Sequence, residues 1–222
     1  MTRLRSCSNF TAMTLSELDT QIFFWINQGQ RNFVFDRLMP FITEFENWRY
    51  PLLMAWIVLF FGGGNRLKVH LLLTALLVGL LDYSNSFLIK HLFERVRPCN
   101  ALTGVHLFGG CPASFSFPSN HAANLFGAAL FLGYHYRKWA GLFFFMALVV
   151  GYSRVYVGEH YPFDVLAGFG LGAGGAALLL LLQHRTTDYL SRREKRSSPQ
   201  AAPFTPRSSR DEPKKGERKR HP

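Results

Sequence analysis

Residues 163–183 read FDVLAGFGLGAGGAALLLLLQ, and after Asp164 no charge interrupts the chain until Arg185. A helix needs about 20 apolar residues to cross roughly 30 Å of hydrocarbon, and this stretch supplies them. Working outward, 67–89 has the same character, while 119–136 and 139–157 come close to the required length. A fifth stretch, 51–64, is short and ends in Gly62-Gly63-Gly64, so its helix must begin near Trp48 and Tyr50. Their amphipathic rings suit a membrane interface. Five such helices in a chain of 222 residues would leave too little polar surface to cover them in water. The expected fold is therefore an all-α, polytopic membrane helix bundle with five crossings.

Residues 15–47 read as two amphipathic helices split near Gln28–Asn32. Asp36, Arg37, Glu44 and Glu46 argue against a clean crossing, so the pair either lies in the interface or makes a poor sixth span. Glu17 and Asp19 interrupt the first apolar residues, so no cleavable signal peptide is expected. The organisation is an amphipathic segment over 1–47, a membrane domain over 48–185 and a basic tail over 186–222.

The net charge of +11 is concentrated at the end: from Arg185 onward there are twelve Lys or Arg against five Asp or Glu. Beyond Ser197 the tail lacks apolar periodicity and is expected to be disordered. Its charge suits an anchor at anionic headgroups on the cytoplasmic side better than a nucleic-acid arm, and no nucleic-acid partner is expected. Arg66 and Lys68 lie between the first two apolar helices, and Arg137 and Lys138 between the third and fourth. Placing these and the tail in the cytoplasm closes five crossings without conflict. The remaining loops then fall on the opposite face.

Those loops carry three polar clusters: Lys90 with Arg97-Pro98, then Pro118-Ser119-Asn120-His121, then Ser153-Arg154 with His160 and Asp164. Polar residues at membrane depth are costly and mark functional sites. Asp82, Ser86 and Lys90 recur every four residues as a stripe, with the Lys90 ammonium expected in the headgroup zone. Asp82 and Asn85 suit interhelical hydrogen bonds. Ser119 is placed as an N-cap, and a helix start is a ready anion site. Asp164, four residues after His160, can accept one imidazole N–H and leave the other nitrogen free to attack.

Taken together, Lys90, Arg97 and Arg154 can neutralise phosphoryl oxygens, while of His160 and His121 one can attack and the other protonate the leaving group. Three cations make a metal or other cofactor unnecessary in this reading, and no metal-ligand spacing of Cys or His is present. Cys99 and Cys111 bracket the loop between the first two clusters, where either a disulfide or two thiols fits; Cys7 is expected to be unpaired. Gly168 and Gly172 have small-xxx-small spacing, with Gly170 and Gly174 offset by two, and suit packing around the site better than dimerisation.

In these clusters the chain resembles the type 2 phosphatidic acid phosphatase superfamily of integral membrane phosphatases, whose signature is K-x6-R-P, P-S-G-H and S-R-x5-H-x3-D. Every position matches except Asn120, which stands where the pattern has Gly. The resemblance implies a phosphohistidine at His160 partnered by Asp164, and His121 as general acid. It also implies phosphate binding by Lys90, Arg97, Ser119 and Arg154. Asn is the non-glycine residue best suited to a left-handed backbone, and its amide could donate to the phosphate. The implied activity is hydrolysis of a lipid phosphate monoester or pyrophosphate at the outer face of a bacterial inner membrane. Alternatives are a phosphotransferase using the same phosphohistidine, and a non-catalytic lipid-phosphate binder or flippase.

Overall fold

The computed structural model describes residues 13–197, so the expectations for Cys7 and for the tail beyond Ser197 lie outside the described residues. Residues to Leu182 form one compact unit, and Gln183 begins a second.

Thr14 starts the first helix, α1 (Leu15–Asn27), with a capping box. Its hydroxyl accepts from Glu17 N at 3.2 Å, and the Glu17 carboxylate accepts from Thr14 N at 2.7 Å. The chain breaks over 28–32, as its polar composition dictates. Asn32 then caps α2 (Phe33–Thr43), its Oδ1 accepting from Val34 N and Phe35 N at 3.1 and 2.9 Å. Helix α3 (Phe45–Gly62) has no buried residue. Its apolar side chains face outward all round, which suits a helix solvated by lipid.

Helix α4 (Asn65–Ser84) runs through a π turn (Asn85–Ile89) into α5 (Lys90–Phe93), and α6 (Pro98–Ala101) follows. After a long loop come α7 (Asn120–His135), a 3₁₀ turn (Arg137–Trp139), α8 (Ala140–Tyr156) and α9 (Pro162–Ser197). Among the described residues the secondary structure is all helical. Among the described residues three stretches are long and apolar enough to cross a membrane: Asn65–Ala101, Arg137–Tyr156 and Pro162–Arg193. The other two expected crossings fall short of that criterion. Helix α3 carries Glu46, Arg49 and Pro51 in its first turns, and α7 is only 16 residues long.

Helix α7 is gripped by α4, α8 and α9, and small residues let the backbones meet. A Cβ on Gly172 would lie 2.3 Å from Ala123 O, and one on Gly168 would lie 2.6 Å from Ser119 O. Gly170 and Gly174 meet nothing within 4 Å, so the first pair carries the contact. This is packing within the chain, as the spacing suggested.

Two apolar clusters fill the bundle. Phe23, Met39, Ala122, Tyr156 and Val165 lie beneath the polar end, and Leu77, Leu81, Phe131 and Ala176 lie further along. At one end His70 Nδ1 is 2.9 Å from Tyr136 Oη, and its ring stacks on His135 at 3.9 Å. The basic residues 66, 68, 137 and 138 flank that contact in sequence. Asn85 and Asn120 meet at the other end. The two basic connections therefore share one end of the bundle, and the polar clusters share the opposite one.

Candidate active site

His160 lies on the short link between α8 and α9 and is 2% exposed. The link is tight. Glu159 N and His160 N both bond Arg154 O at 3.2 Å, and Gly158 adopts φ +89. A side chain there would be strained, and its Cβ would fall 2.8 Å from Val105 Cγ1. On one edge of the imidazole, Nδ1 is 3.6 Å from Asp164 Oδ2 and 3.5 Å from Ser116 Oγ. On the other, Nε2 is 3.2 Å from an Arg97 guanidinium nitrogen. Asp164 is therefore on the expected side, at ion-pair rather than hydrogen-bond distance. Burial pushes the His160 imidazole down to about 3, with Arg97 and Arg154 adding to the effect and Asp164 opposing it. It is neutral at physiological pH, as a nitrogen nucleophile must be.

Asp164 is itself fixed on all sides. Oδ2 accepts from Tyr161 N at 2.9 Å and from Ser116 Oγ, and Oδ1 accepts from Arg95 at 2.6 Å. The second arm of the Arg95 fork reaches Asp19 at 2.7 Å, and Asp19 also accepts from Phe163 N at 2.9 Å. The Arg95 guanidinium lies over the Tyr161 ring, 4.0 Å from its centroid.

The expected phosphate-binding cations gather around this histidine. Arg97 donates to Ser114 O at 2.7 Å, Ser114 Oγ at 2.9 Å and Glu159 O at 3.1 Å. Arg154 donates to Thr43 Oγ1 at 2.8 Å and pairs with the Glu159 carboxylate, while its Nε is buried without a partner. Lys90 is buried in the protein, donating to Phe115 O at 3.0 Å, rather than standing in a headgroup zone. The intervening π turn re-aims the helix one turn before it, a frequent device at functional sites.

The second cluster joins through the backbone, with Ser119 N donating to Asp164 O at 3.0 Å. Ser119 holds the N-cap position of α7, but its hydroxyl caps nothing and is buried without a partner. A buried hydroxyl left unmet is costly, and an anion oxygen is the partner it would accept. His121 follows in the first turn of α7.

Asn120 departs from the sequence expectation. It opens α7, and among the described residues Glu94 is the only non-glycine with positive φ. Its amide donates to Asp82 Oδ1 at 2.8 Å and Ser86 Oγ at 2.7 Å, and its oxygen accepts from Asn85 at 2.7 Å. The side chain is spent on Asp82 of α4 and on the π turn that follows it, which leaves its backbone N–H to face an anion. Asp82 and Asn85 are interhelical partners, as read from the stripe.

Cys99 and Cys111 are joined, their Cα atoms 6.0 Å apart, which closes the loop beside Arg97. Asn27 pins that loop to the bundle, donating to His106 O and Tyr156 O at 2.7 Å and accepting from His106 N at 2.8 Å. Among the described residues no three His, Cys, Asp or Glu side chains are grouped so as to hold a metal ion.

Sequence reasoning missed Asp19, Arg95, Ser116, Glu159 and Thr43. A signal existed for the first. Asp19, Phe23, Ile26 and Asn27 form the buried face of α1, so a carboxylate and an amide share an apolar stripe. Arg95, Ser116 and Glu159 lie in turns and loops, where periodicity gives no direction, and Thr43 is the last residue of α2.

The PAP2 superfamily profile matches residues 67–188, which hold all three clusters. The chain is 32% identical over 183 residues to a lipid A 4'-phosphatase of Bacteroides thetaiotaomicron, covering 78% of this chain and 80% of that one. It is 33% identical over 138 residues to undecaprenyl-diphosphatase BcrC of Bacillus subtilis, covering 62% and 69%. The crystal structure of Aquifex aeolicus LpxE superposes with a TM-score of 0.63 at 27% identity, covering 73% of this chain and 94% of that one. A membrane helix bundle that gathers the three clusters around one buried histidine, with relatives named as phosphatases, places the chain in a family: it belongs to the PAP2 superfamily.

Proposed function

We propose that the chain is a membrane lipid phosphatase that hydrolyses a lipid phosphate monoester or pyrophosphate through a phosphohistidine. The observation that carries this reading is the buried imidazole of His160, with Nδ1 turned to Asp164 and Nε2 beside the Arg97 guanidinium.

In the first step the Nε2 lone pair of His160 attacks phosphorus, and the bond from phosphorus to the bridging oxygen breaks. His121, held as the imidazolium by the bound phosphate anion beside it, gives that oxygen a proton, so the lipid leaves as an alcohol or as a monophosphate. Lys90, Arg97, Arg154, the Ser119 hydroxyl and the Asn120 backbone N–H hold the three equatorial oxygens. Asp164 stabilises the imidazole as it becomes cationic. In the second step His121 takes a proton from water. The hydroxide attacks phosphorus, the P–N bond breaks, and inorganic phosphate leaves with His160 restored.

The three cations supply the charge that a metal would, so the reaction runs without one. With the basic connections kept in the cytoplasm, the site opens on the outer face of a bacterial inner membrane. Helices α3, α4, α7, α8 and α9 make the five crossings, and α1 and α2 lie at the interface above the site. Relatives named for lipid A and undecaprenyl diphosphate support a prenyl pyrophosphate or a phosphorylated glycolipid or glycerolipid as substrate.

The test is phosphate release by purified protein from a panel of lipid phosphates and pyrophosphates in excess EDTA. Turnover of at least one lipid, lost in His160→Ala protein that still folds, supports the reading. Undiminished turnover in that variant, or a strict need for added divalent ion, contradicts it.

A further inference from the structure

Glu159 is an acid placed where the substrate's own charge should go. It is 8% exposed, and its carboxylate pairs with one arm of Arg154 and stands 3.6 Å from Arg97. Its backbone carbonyl accepts from Arg97 at 3.1 Å, and its backbone N–H bonds Arg154 O. The carboxylate therefore bridges the two guanidiniums assigned to phosphate. Asp164 plays no such part, because its oxygens are taken by Arg95, Ser116 and Tyr161 N.

Two buried guanidiniums with no anion between them would be costly, and Glu159 offsets that cost in the free protein. It also removes one unit of positive charge from beside the reacting phosphorus. A change in local potential is felt in proportion to ligand charge. A monoester dianion therefore loses less to this carboxylate than a diphosphate trianion does. Sterically, the Arg154 arm that Glu159 holds is an arm that a second phosphate could otherwise use.

Resting on the phosphatase reading above, we propose that Glu159 is a specificity-determining residue, an internal counter-anion that biases the site toward monophosphate headgroups and against diphosphates.

The experiment compares the full chain with Glu159→Gln and Glu159→Asp in detergent, using farnesyl diphosphate and farnesyl monophosphate, which share one lipid. The readout is the ratio of kcat/KM for diphosphate over monophosphate. Glu159→Gln should raise that ratio by about tenfold or more, the size expected of one charge over several ångströms at an effective dielectric constant near 20. Glu159→Asp keeps the charge but withdraws it by one methylene, and should fall between parent and Gln. A ratio unchanged within twofold, a shift toward monophosphate, or an Asp variant that moves as far as Gln overturns the proposal. If Glu159→Gln does not fold, the Asp variant decides alone, a rise of twofold or more supporting and no change refuting. If the parent turns over neither compound, the phosphatase reading is what suffers. Calorimetric binding of inorganic pyrophosphate against inorganic phosphate, in parent and Glu159→Gln, then reads the same charge effect without catalysis.

Discussion

Arg95 joins Asp164 at 2.6 Å and, through the other arm of the same guanidinium, reaches Asp19 on the N-terminal helix at 2.7 Å. Both carboxylates are fully buried. The amphipathic segment is thereby wired to the partner of the candidate nucleophile, and α1 becomes part of the site's support. Arg95 touches neither phosphate nor His160 in this account, so it is a positioning residue.

Breaking such a pair from one side strands a buried charge, at a cost of about 3–5 kcal/mol. Arg95→Ala should lower the thermal unfolding midpoint in detergent and cut kcat by about tenfold or more, leaving KM within a few-fold. Asp19→Asn should act in the same direction but more weakly, because the Asp164 contact survives. The kcat-against-KM split separates this from a general loss of folded protein, which would lower the active fraction alone.

The burial of His160 has a pH consequence. Its folded value lies near 3 against an ordinary 6.5. Between those values the unfolded chain binds a proton at this histidine that the folded chain does not, so the His160 contribution to stability falls as pH drops below 6.5 and is flat above it. Histidine-labelled nitrogen NMR should show that the imidazole signal lost in His160→Gln stays neutral from pH 8 to pH 5 in the parent.

Asn120→Gly restores the residue of the family pattern, and it should stabilise nothing. It deletes the bonds to Asp82, Ser86 and Asn85, while Asp82 keeps its bond from Asn124 at 3.0 Å and Asn85 its bond to Pro118 O at 3.2 Å. A loss of about 1–3 kcal/mol is expected from the unmet polar groups on α4 and the π turn. Activity per folded molecule should stay within a few-fold, because the backbone N–H at the helix start is retained.

The glycine pairs make a matched control. Gly172→Ala forces a Cβ against the Ala123 carbonyl and should cost about 1–3 kcal/mol as an overpacked contact. Gly170→Ala meets open space and should be neutral or slightly stabilising, since alanine is the better helix former. Melting curves of the two single variants decide it. Equal losses would refute the assigned face.

The helices and the three clusters were legible because hydrocarbon imposes a length and because paid-for polarity at its edge stands out. The break at 28–32 and the paired glycines 168 and 172 were equally readable as local chemistry. What stayed hidden was side-chain direction at the turns. Nothing in a linear pattern turns Lys90 inward, spends Asn120 on α4 rather than on phosphate, or sets Glu159 between Arg97 and Arg154. The role of Asp19 depends on a contact with Arg95, 76 residues away, which no local period encodes.

The central claim is that phosphorus is bonded transiently to one nitrogen, Nε2 of His160. Alkaline rapid quench of the protein with a ³²P-labelled lipid phosphate, followed by peptide mapping, addresses it directly. Label on the His160 peptide, formed and discharged at rates matching turnover, is the predicted result. Turnover with no labelled protein, or label on another residue, would contradict it.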